Sequence, residues 1–548
     1  MTTDKTRSIH WMRSTGAALC GSLALASLPA QALEYEWGEW LFDVDTTLSA
    51  GAQWRTESRD KDLAFDEGAL NFNDGNNNFD PGLVSNNLKV IFEVGGEYRD
   101  FSFFVRADAM YDFVYTENRT DLSDEGYLSY NNGIPVGGNL LQGELPRETI
   151  AEHGRRTRLL DAFVTYNFGI GEQSGAVRFG KQVISWGEST FYPGVNALQN
   201  PIDAVAAQAP GVEAREIFLP TSAVDLKWDF TPNISAEAYY KLDWERSTLP
   251  GVGSFLSTSD TTGPGAERVL LGPLGAAETS RRVTPDDGGE WGAAFRYITD
   301  DGNNYDFYYL NAHHNIPGAE IVLNLADPSQ SYVREVYEDD IPLWGASMST
   351  LVGEAQVYLD GVYSDDMPFV DVTSEFGEGG TFERSKMTRG HYWQIAAGFT
   401  DIYTAFPWLS EQIVVLAEVL YQGNNLGEDE LIPPPAGITP PGERNLKVTD
   451  TAWGYQGRVQ LKYFSVLQGL DVTVPITFKH DVDGYGNANG LTNGLIEDMM
   501  TASVGFDAFY LSNWQFSGKY AWYWGNDNPD DRPLSDRDNL SISIKYAF

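Results

Sequence analysis

The sequence predicts an all-β protein, a transmembrane antiparallel β-barrel of about 18 strands within a range of roughly 14 to 18. Three observations carry that expectation. Stretches of about ten residues alternate apolar with polar side chains, the period of a strand whose two faces meet different surroundings. The segments between them alternate long and short. A secretory leader precedes them, and no later stretch is long and apolar enough for a spanning helix.

Residues 1–32 read as the leader: Lys5, Arg7 and Arg13 make a basic start, Gly16 to Leu28 an apolar stretch, and Ala30-Gln31-Ala32 a cleavage pattern. The single cysteine, Cys20, lies inside it, so the barrel, 33–548, is expected to hold by burial and hydrogen bonding without disulfides. The whole chain has a formal charge of −41, from 37 bases and 78 acids, which argues against nucleic acid as a partner.

The first strand shows the pattern clearly. Over 43–55, Val44, Leu48, Ala50, Ala52 and Trp54 share one face, and Asp43, Asp45, Thr47, Ser49, Gln53 and Arg55 share the other. Leu88, Val90, Phe92 and Val94 follow against Lys89, Glu93 and Glu97. After Arg99-Asp100, Phe103, Val105, Ala107, Ala109 and Tyr111 oppose Arg106, Asp108 and Asp112. The alternation recurs at 157–168, 176–187, 222–230, 234–246, 290–298, 304–314, 341–350, 354–364, 390–400, 412–422, 452–463, 470–481, 500–510, 513–524 and 538–548.

Long segments at 57–82, 116–155, 188–221 and 247–289 alternate with turns at Arg99-Asp100, Gly169 to Gly175, Thr231-Pro232-Asn233 and Asp300 to Asn303. Sorted connections imply an even strand count with both barrel ends on the short-turn side, long loops facing outward from the cell. Tyr98, Phe168, Phe230, Trp244, Tyr297, Tyr463, Trp524 and Tyr546 are expected in interfacial girdles. Lys181 breaks the rule by sharing the apolar face of Val177 and Phe179; either Gly180 marks a bulge or this strand lies behind a folded loop.

Segment 188–221 is rich in proline and poor in charge before Glu213, which is odd for a loop facing water. It is the candidate constriction or plug, with Trp186, Glu188, Phe191, Tyr192, Val195, Leu198 and Ile202 as its residues; the alternative is an external loop packed on its neighbours. The polar strand face predicts a lumen lined by Arg106, Asp108, Asp112, Arg158, Asp161, Arg178, Gln182, Glu237, Lys241, Arg296, Glu354, Glu418 and Arg458. Their mixed signs equally suit structural ion pairs. Tyr239, Tyr308, Trp344, Met348 and Tyr358 share that register, and large apolar groups facing inward suit a greasy path or a packed plug.

Catalytic and metal chemistry find little support. The chain has no nucleophile-elbow or phosphate-loop motif, and no cofactor or metal ligand set is expected. His480 beside Asp481 is the one pair from which a barrel hydrolase can be imagined. The acidic stretches 74–80, 481–483 and 527–538 have oxygen ligands suited to calcium but no complete loop motif.

The stretch "FGKQVISWGESTFYPGVNALQNPIDAVAAQAPGVEAREIFLP" (179–220), with "YEDDIPLWGASMST" (337–350), "FKHDVDGYG" (478–486) and "SDRDNLSISIKYAF" (535–548), resembles the proteobacterial outer-membrane family of domain of unknown function 1302. The resemblance runs from about residue 35 onward. It implies a Gram-negative outer-membrane location, contact with lipid and lipopolysaccharide, and barrel-insertion machinery recognising the Phe548 terminus. It further implies a periplasmic partner of the domain of unknown function 1329 type and an inner-membrane exporter of the resistance–nodulation–division type. The role it implies is passage of hydrophobic small molecules such as lipids, alkanes or steroids, by uptake. An export conduit and a water-filled, cation-preferring porin are the alternatives.

Overall fold

The computed structural model describes residues 33–65, 71–117, 130–131, 134–135, 145–270, 276–324, 327, 330–376, 381–404, 406, 408–426, 448–486, 494–528 and 531–548. Residues 1–32, expected as a leader, lie outside the described residues.

The chain forms a closed barrel of 18 antiparallel strands. In order they are β1 (Trp40–Arg55), β2 (Gly82–Tyr98), β3 (Phe101–Asp112), β4 (Arg155–Ile170), β5 (Gln173–Gln182) and β6 (Thr221–Thr231). Next come β7 (Ile234–Lys241), β8 (Trp291–Ile298), β9 (Asn304–Ala312), β10 (Ile341–Val352), β11 (Ala355–Phe376) and β12 (Thr381–Tyr403). The last six are β13 (Gln412–Asn424), β14 (Thr451–Leu467), β15 (Leu470–Asp483), β16 (Met499–Tyr510), β17 (Trp514–Gly525) and β18 (Asn539–Ala547). Each pairs with the next, and β18 returns to β1 in the register Thr47↔Ala547 through Arg55↔Asn539. Thr46 N–H donates to the Phe548 carbonyl at 2.7 Å, and Phe548 N–H donates back at 2.9 Å. Closure removes both sheet edges, the condition for a sheet to sit in hydrocarbon.

Every stretch of alternating sequence overlaps one of these strands, although 176–187 and 234–246 run on past the ends of β5 and β7. On β1 and β2, Leu48, Leu88 and Phe92 are more than 40% exposed on the outer surface, while Thr47, Ser49 and Gln53 are buried inside. Rings gather at both rims. Trp40 stacks on Tyr98 at 4.9 Å and Trp514 meets Tyr546 at 4.4 Å at the short-turn end. Trp291, Tyr309, Trp344 and Tyr363 run in contact across β8 to β11 at the other end. An apolar band between aromatic rims is the surface a bilayer selects.

Three sequence expectations are corrected. Trp344 lies outside, because it pairs with Tyr309 and so shares that residue's face, opposite Tyr308; Met348 falls on the same outward parity. Trp244 belongs to no strand end: β7 stops at Lys241, and the indole packs edge-on against Tyr337 at 4.9 Å. The pairing of β5 runs through Gly180 without a register shift, so no bulge hides Lys181, which lies one residue from the strand's end and pairs with Glu245 at 3.2 Å.

The long connections build a lid. Arg55, fully buried, donates to the carbonyls of Asn76 and Phe79 and pairs with Asp536 at 3.0 Å. Arg537 reaches across to the carbonyls of Phe255 and Ser257 at 2.7 and 2.6 Å. A side chain on Gly75 would stand 2.2 Å from the Ser254 carbonyl, so glycine permits the loops to close on each other. Acids of the stretches considered for calcium are occupied here: Asp536 binds Arg55 and Asn76, and Asp531 accepts from the Tyr485 hydroxyl.

Candidate constriction and lumen

Segment 183–220 leaves β5 and crosses the barrel interior. Its first limb is braced internally, Ile184 N–H donating to Asn200 Oδ1 and Trp186 N–H to Gln199 Oε1. The Trp186 ring stacks on Tyr308 at 5.7 Å and meets Tyr239 at 5.1 Å, so it is wedged against the wall rather than free in the lumen. Gly187, at φ +94°, turns the chain where a side chain would strike Asp360 Oδ2 at 2.7 Å.

Two wall carboxylates then catch five successive backbone N–H groups. Asp360 on β11 accepts from Glu188 and Ser189 at 2.9 and 3.2 Å. Glu418 on β13 accepts from Thr190, Phe191 and Tyr192 at 2.8, 3.0 and 3.1 Å, and also from the Tyr358 hydroxyl at 2.5 Å. Charge-assisted bonds of this kind are roughly twice as strong as neutral ones.

Val195 stays on the near wall, packing so close to β10 that a side chain on Gly345 would stand 2.6 Å from its Cγ2. The second limb is then held by the opposite wall. Asp203, fully buried, caps the short helix Ala204–Gln208 and binds Arg156 at 2.8 Å and Arg158, both from β4. Burial alone would raise the Asp203 carboxyl; Arg156 and Arg158 overcome it and hold it below the usual carboxylate range. Further on, Glu213 binds Lys545 of β18 at 3.0 Å, Glu216 binds Lys89 of β2, and Arg215 binds Glu93 of β2. Arg106 links Glu93 and Asp161 at 2.8 and 2.9 Å. Strands β11 to β13 and β18 to β4 face each other on the ring, so the segment bridges the lumen.

The interior is therefore divided into unlike sectors. Ile184, Trp186, Val195, Leu198, Tyr239 and Tyr308 belong to one apolar cluster toward β7 to β12. Ion pairs fill the β1 to β4 side. Along β14 to β17 the inward residues are less covered: Arg458 lies 5.8 Å from the Phe191 ring, and Lys519, on the face of Ser541, is exposed to open space.

A family model described as "Protein of unknown function (DUF1302)" matches residues 13–548. The chain belongs to this family. A comparison with curated proteins finds no match. Among solved structures, OccAB1 of Acinetobacter baumannii is similar at 11% identity, covering 92% of this chain and 96% of its own, with a TM-score of 0.43. A BenF-like porin of Pseudomonas fluorescens Pf-5 is similar at 9% identity, 92% and 98% coverage, and a TM-score of 0.43. OpdK of Pseudomonas aeruginosa, solved with vanillate, is similar at 8% identity, with 92% and 98% coverage and a TM-score of 0.41.

In this DUF1302 chain the wall residues named from sequence take distinct places. Arg106 with Glu93 and Asp161, and Arg158 with Asp108 and Asp203, form two neighbouring ion-paired groups. Arg158 and Asp161 differ in parity, and a register shift opposite Val105 and Ala107 lets both reach the interior. Asp112 instead caps the turn after β3, accepting from Val114 N–H at 2.8 Å and Ser85 Oγ at 2.5 Å. Arg178 lies over Phe163 at 4.9 Å, Glu237 pairs with Lys227, Lys241 with Glu290 at 3.0 Å, and Arg296 with Asp306 at 2.8 Å. Gln182 is fully buried and donates to the Ala223 carbonyl at 3.1 Å. Glu354 is not on the strand face: with Gly353 at φ +67° it forms the tight turn between β10 and β11 and is exposed. In the segment, Trp186, Tyr192, Val195 and Leu198 are buried, whereas Glu188, Phe191 and Ile202 are half-buried. His480 sits with its ring 5.6 Å from Tyr455.

Sequence reasoning missed Asp360, Asp203, Glu213 and Arg215. Asp360 was legible, since it alternates with Tyr358 on β11. Asp203 carried no local signal, because its partners lie about 45 residues upstream.

Proposed function

We propose that this DUF1302 protein is a channel of a Gram-negative outer membrane that takes up hydrophobic small molecules of lipid, alkane or steroid type, with segment 183–220 as its constriction. The observation that carries this reading is the position of Phe191. The segment holds that ring half-buried at the rim of the open sector with the Arg458 guanidinium beside it. An apolar body sliding on the ring and a polar end held by Arg458 suit an amphipathic solute. The cation-preferring porin is disfavoured by Arg458 and Lys519 on the open side, which repel cations. The test is uptake of hexadecane, palmitate and a sterol by a deletion strain complemented with the intact gene or with a copy lacking 188–216. Equal uptake of all three with and without the intact gene would overturn the proposal.

A further inference from the structure

Strand β5 is short, and its shortness leaves the wall incomplete. Its pairing with β4 begins at Ile170↔Gln173 and ends at Ala162↔Lys181. Above that point, β4 residues 155–161 pair with β3 and with no strand on the other side, because the chain has turned into the lumen as segment 183–220. An unpaired strand edge in hydrocarbon leaves backbone groups without partners, so such an edge is kept only where polar groups or a cavity meet it.

A cavity of about 480 Å³ lies there. It is lined by both Arg158 and Leu159. These neighbours point to opposite faces of β4. Arg158 reaches Asp108 and Asp203 inside the barrel, while Leu159 is 52% exposed on the outer surface. A cavity that touches both lies at the open edge of the wall, between its inner and outer faces. Its depth is fixed by register: Leu159 pairs with Ala107, between the Tyr111↔Arg155 pair toward the loop rim and the Phe101↔Tyr166 pair at the turn rim. The opening thus faces the outward half of the apolar band.

The chemistry of the lining has two parts. Leu219, Pro220 and Leu249 add apolar surface to that of Leu159. At the mouth Lys181 pairs with Glu245 at 3.2 Å, both partly exposed, and Arg246 stands 4.0 Å from Glu335. Partly exposed pairs of this kind are weak and exchange readily for another anion.

We propose that this gap is a lateral port between lumen and outer leaflet, taking a single-chain carboxylate of fatty-acid type, its chain on Leu159, Leu219 and Leu249 and its carboxylate on Lys181. The port rests on the channel reading, and it adds a sideways route to the passage along the barrel axis.

The test uses purified full-length protein in phosphatidylcholine vesicles containing a diazirine-bearing palmitate, irradiated and mapped by peptide mass spectrometry. It reads binding and not uptake, so its failure leaves the channel reading standing. Labelling of the peptide containing Leu219 and Pro220 is expected, falling at least fivefold in Leu159→Trp, which narrows the gap. Lys181→Ala is expected to lower it at least threefold, whereas Arg99→Ala, at a short turn on the far rim, leaves it unchanged. Labels confined to outward strand residues, with none on 217–222, would overturn the port, as would equal labelling in wild type, Leu159→Trp and Lys181→Ala.

Discussion

Glu418 on β13 and Phe191 in the crossing segment are joined by a 3.0 Å hydrogen bond from backbone N–H to carboxylate. The same carboxylate holds Thr190 and Tyr192 and is itself held by Tyr358. With Asp360, this buried side chain therefore fixes where the segment meets the wall.

Replacing Glu418 by Ala leaves those donors without an acceptor, at about 1–3 kcal/mol for each group left buried. The first limb should detach, raising single-channel conductance at least twofold with frequent transitions between levels. Glu418→Gln keeps part of the acceptor set and should fall between. Planar-bilayer recording checks both.

The Asp203 knot predicts a stability effect. Asp203→Ala takes from buried Arg156 its close partner and leaves Arg158 with Asp108 alone, a loss of about 3 kcal/mol, the lower end for broken buried pairs. Gel migration of the folded barrel should revert to that of the unfolded chain at a clearly lower temperature than in wild type. Asp203→Asn retains an acceptor for Ala206 N–H and should lose less.

Asp260 in the lid predicts a dependence on rising pH. Burial, with the Asp74 carboxylate nearby, pushes its carboxyl well above the ordinary value. A raised acid is neutral in the fold, so its contribution is complete below the unfolded value of 3.8 and is lost as pH rises through the folded one. Protease cleavage within 242–290 should accelerate over that window. Asp260→Asn keeps an acceptor for the Asn73 and Asp74 N–H groups, and its profile should be flat there.

His153 predicts the opposite sign. Burial, and then repulsion by Arg156, push the imidazole down to about 3, and its Nε2 accepts from Gly251 N–H at 2.9 Å. Its contribution is complete above the unfolded value of 6.5 and is lost as pH falls from there toward 3. Cleavage near Gly251 should rise on acidification in wild type, and His153→Gln should remove that part of the dependence.

The barrel was legible because a strand in a bilayer wall writes its environment into every second residue. Leu48, Leu88 and Phe92 had to be apolar whatever their distant partners, and Thr47 and Ser49 had to be polar. Where a residue sat next to a turn, as Glu354 does, the alternation continued past the strand end and misplaced it. Trp344 was misplaced for a related reason, since an aromatic reads as lipid-facing or plug-facing until its cross-strand partner is known.

Sequence alone determined the class of fold, the strand positions and the unusual character of segment 188–221, all properties of local period and composition. Only the tertiary structure decided that the segment bridges Glu418 and Asp360 on one wall to Arg156, Arg158 and Lys545 on the other. Those partners come together by closure of β18 on β1 and by the early end of β5, and neither event leaves a mark within any single window of the chain.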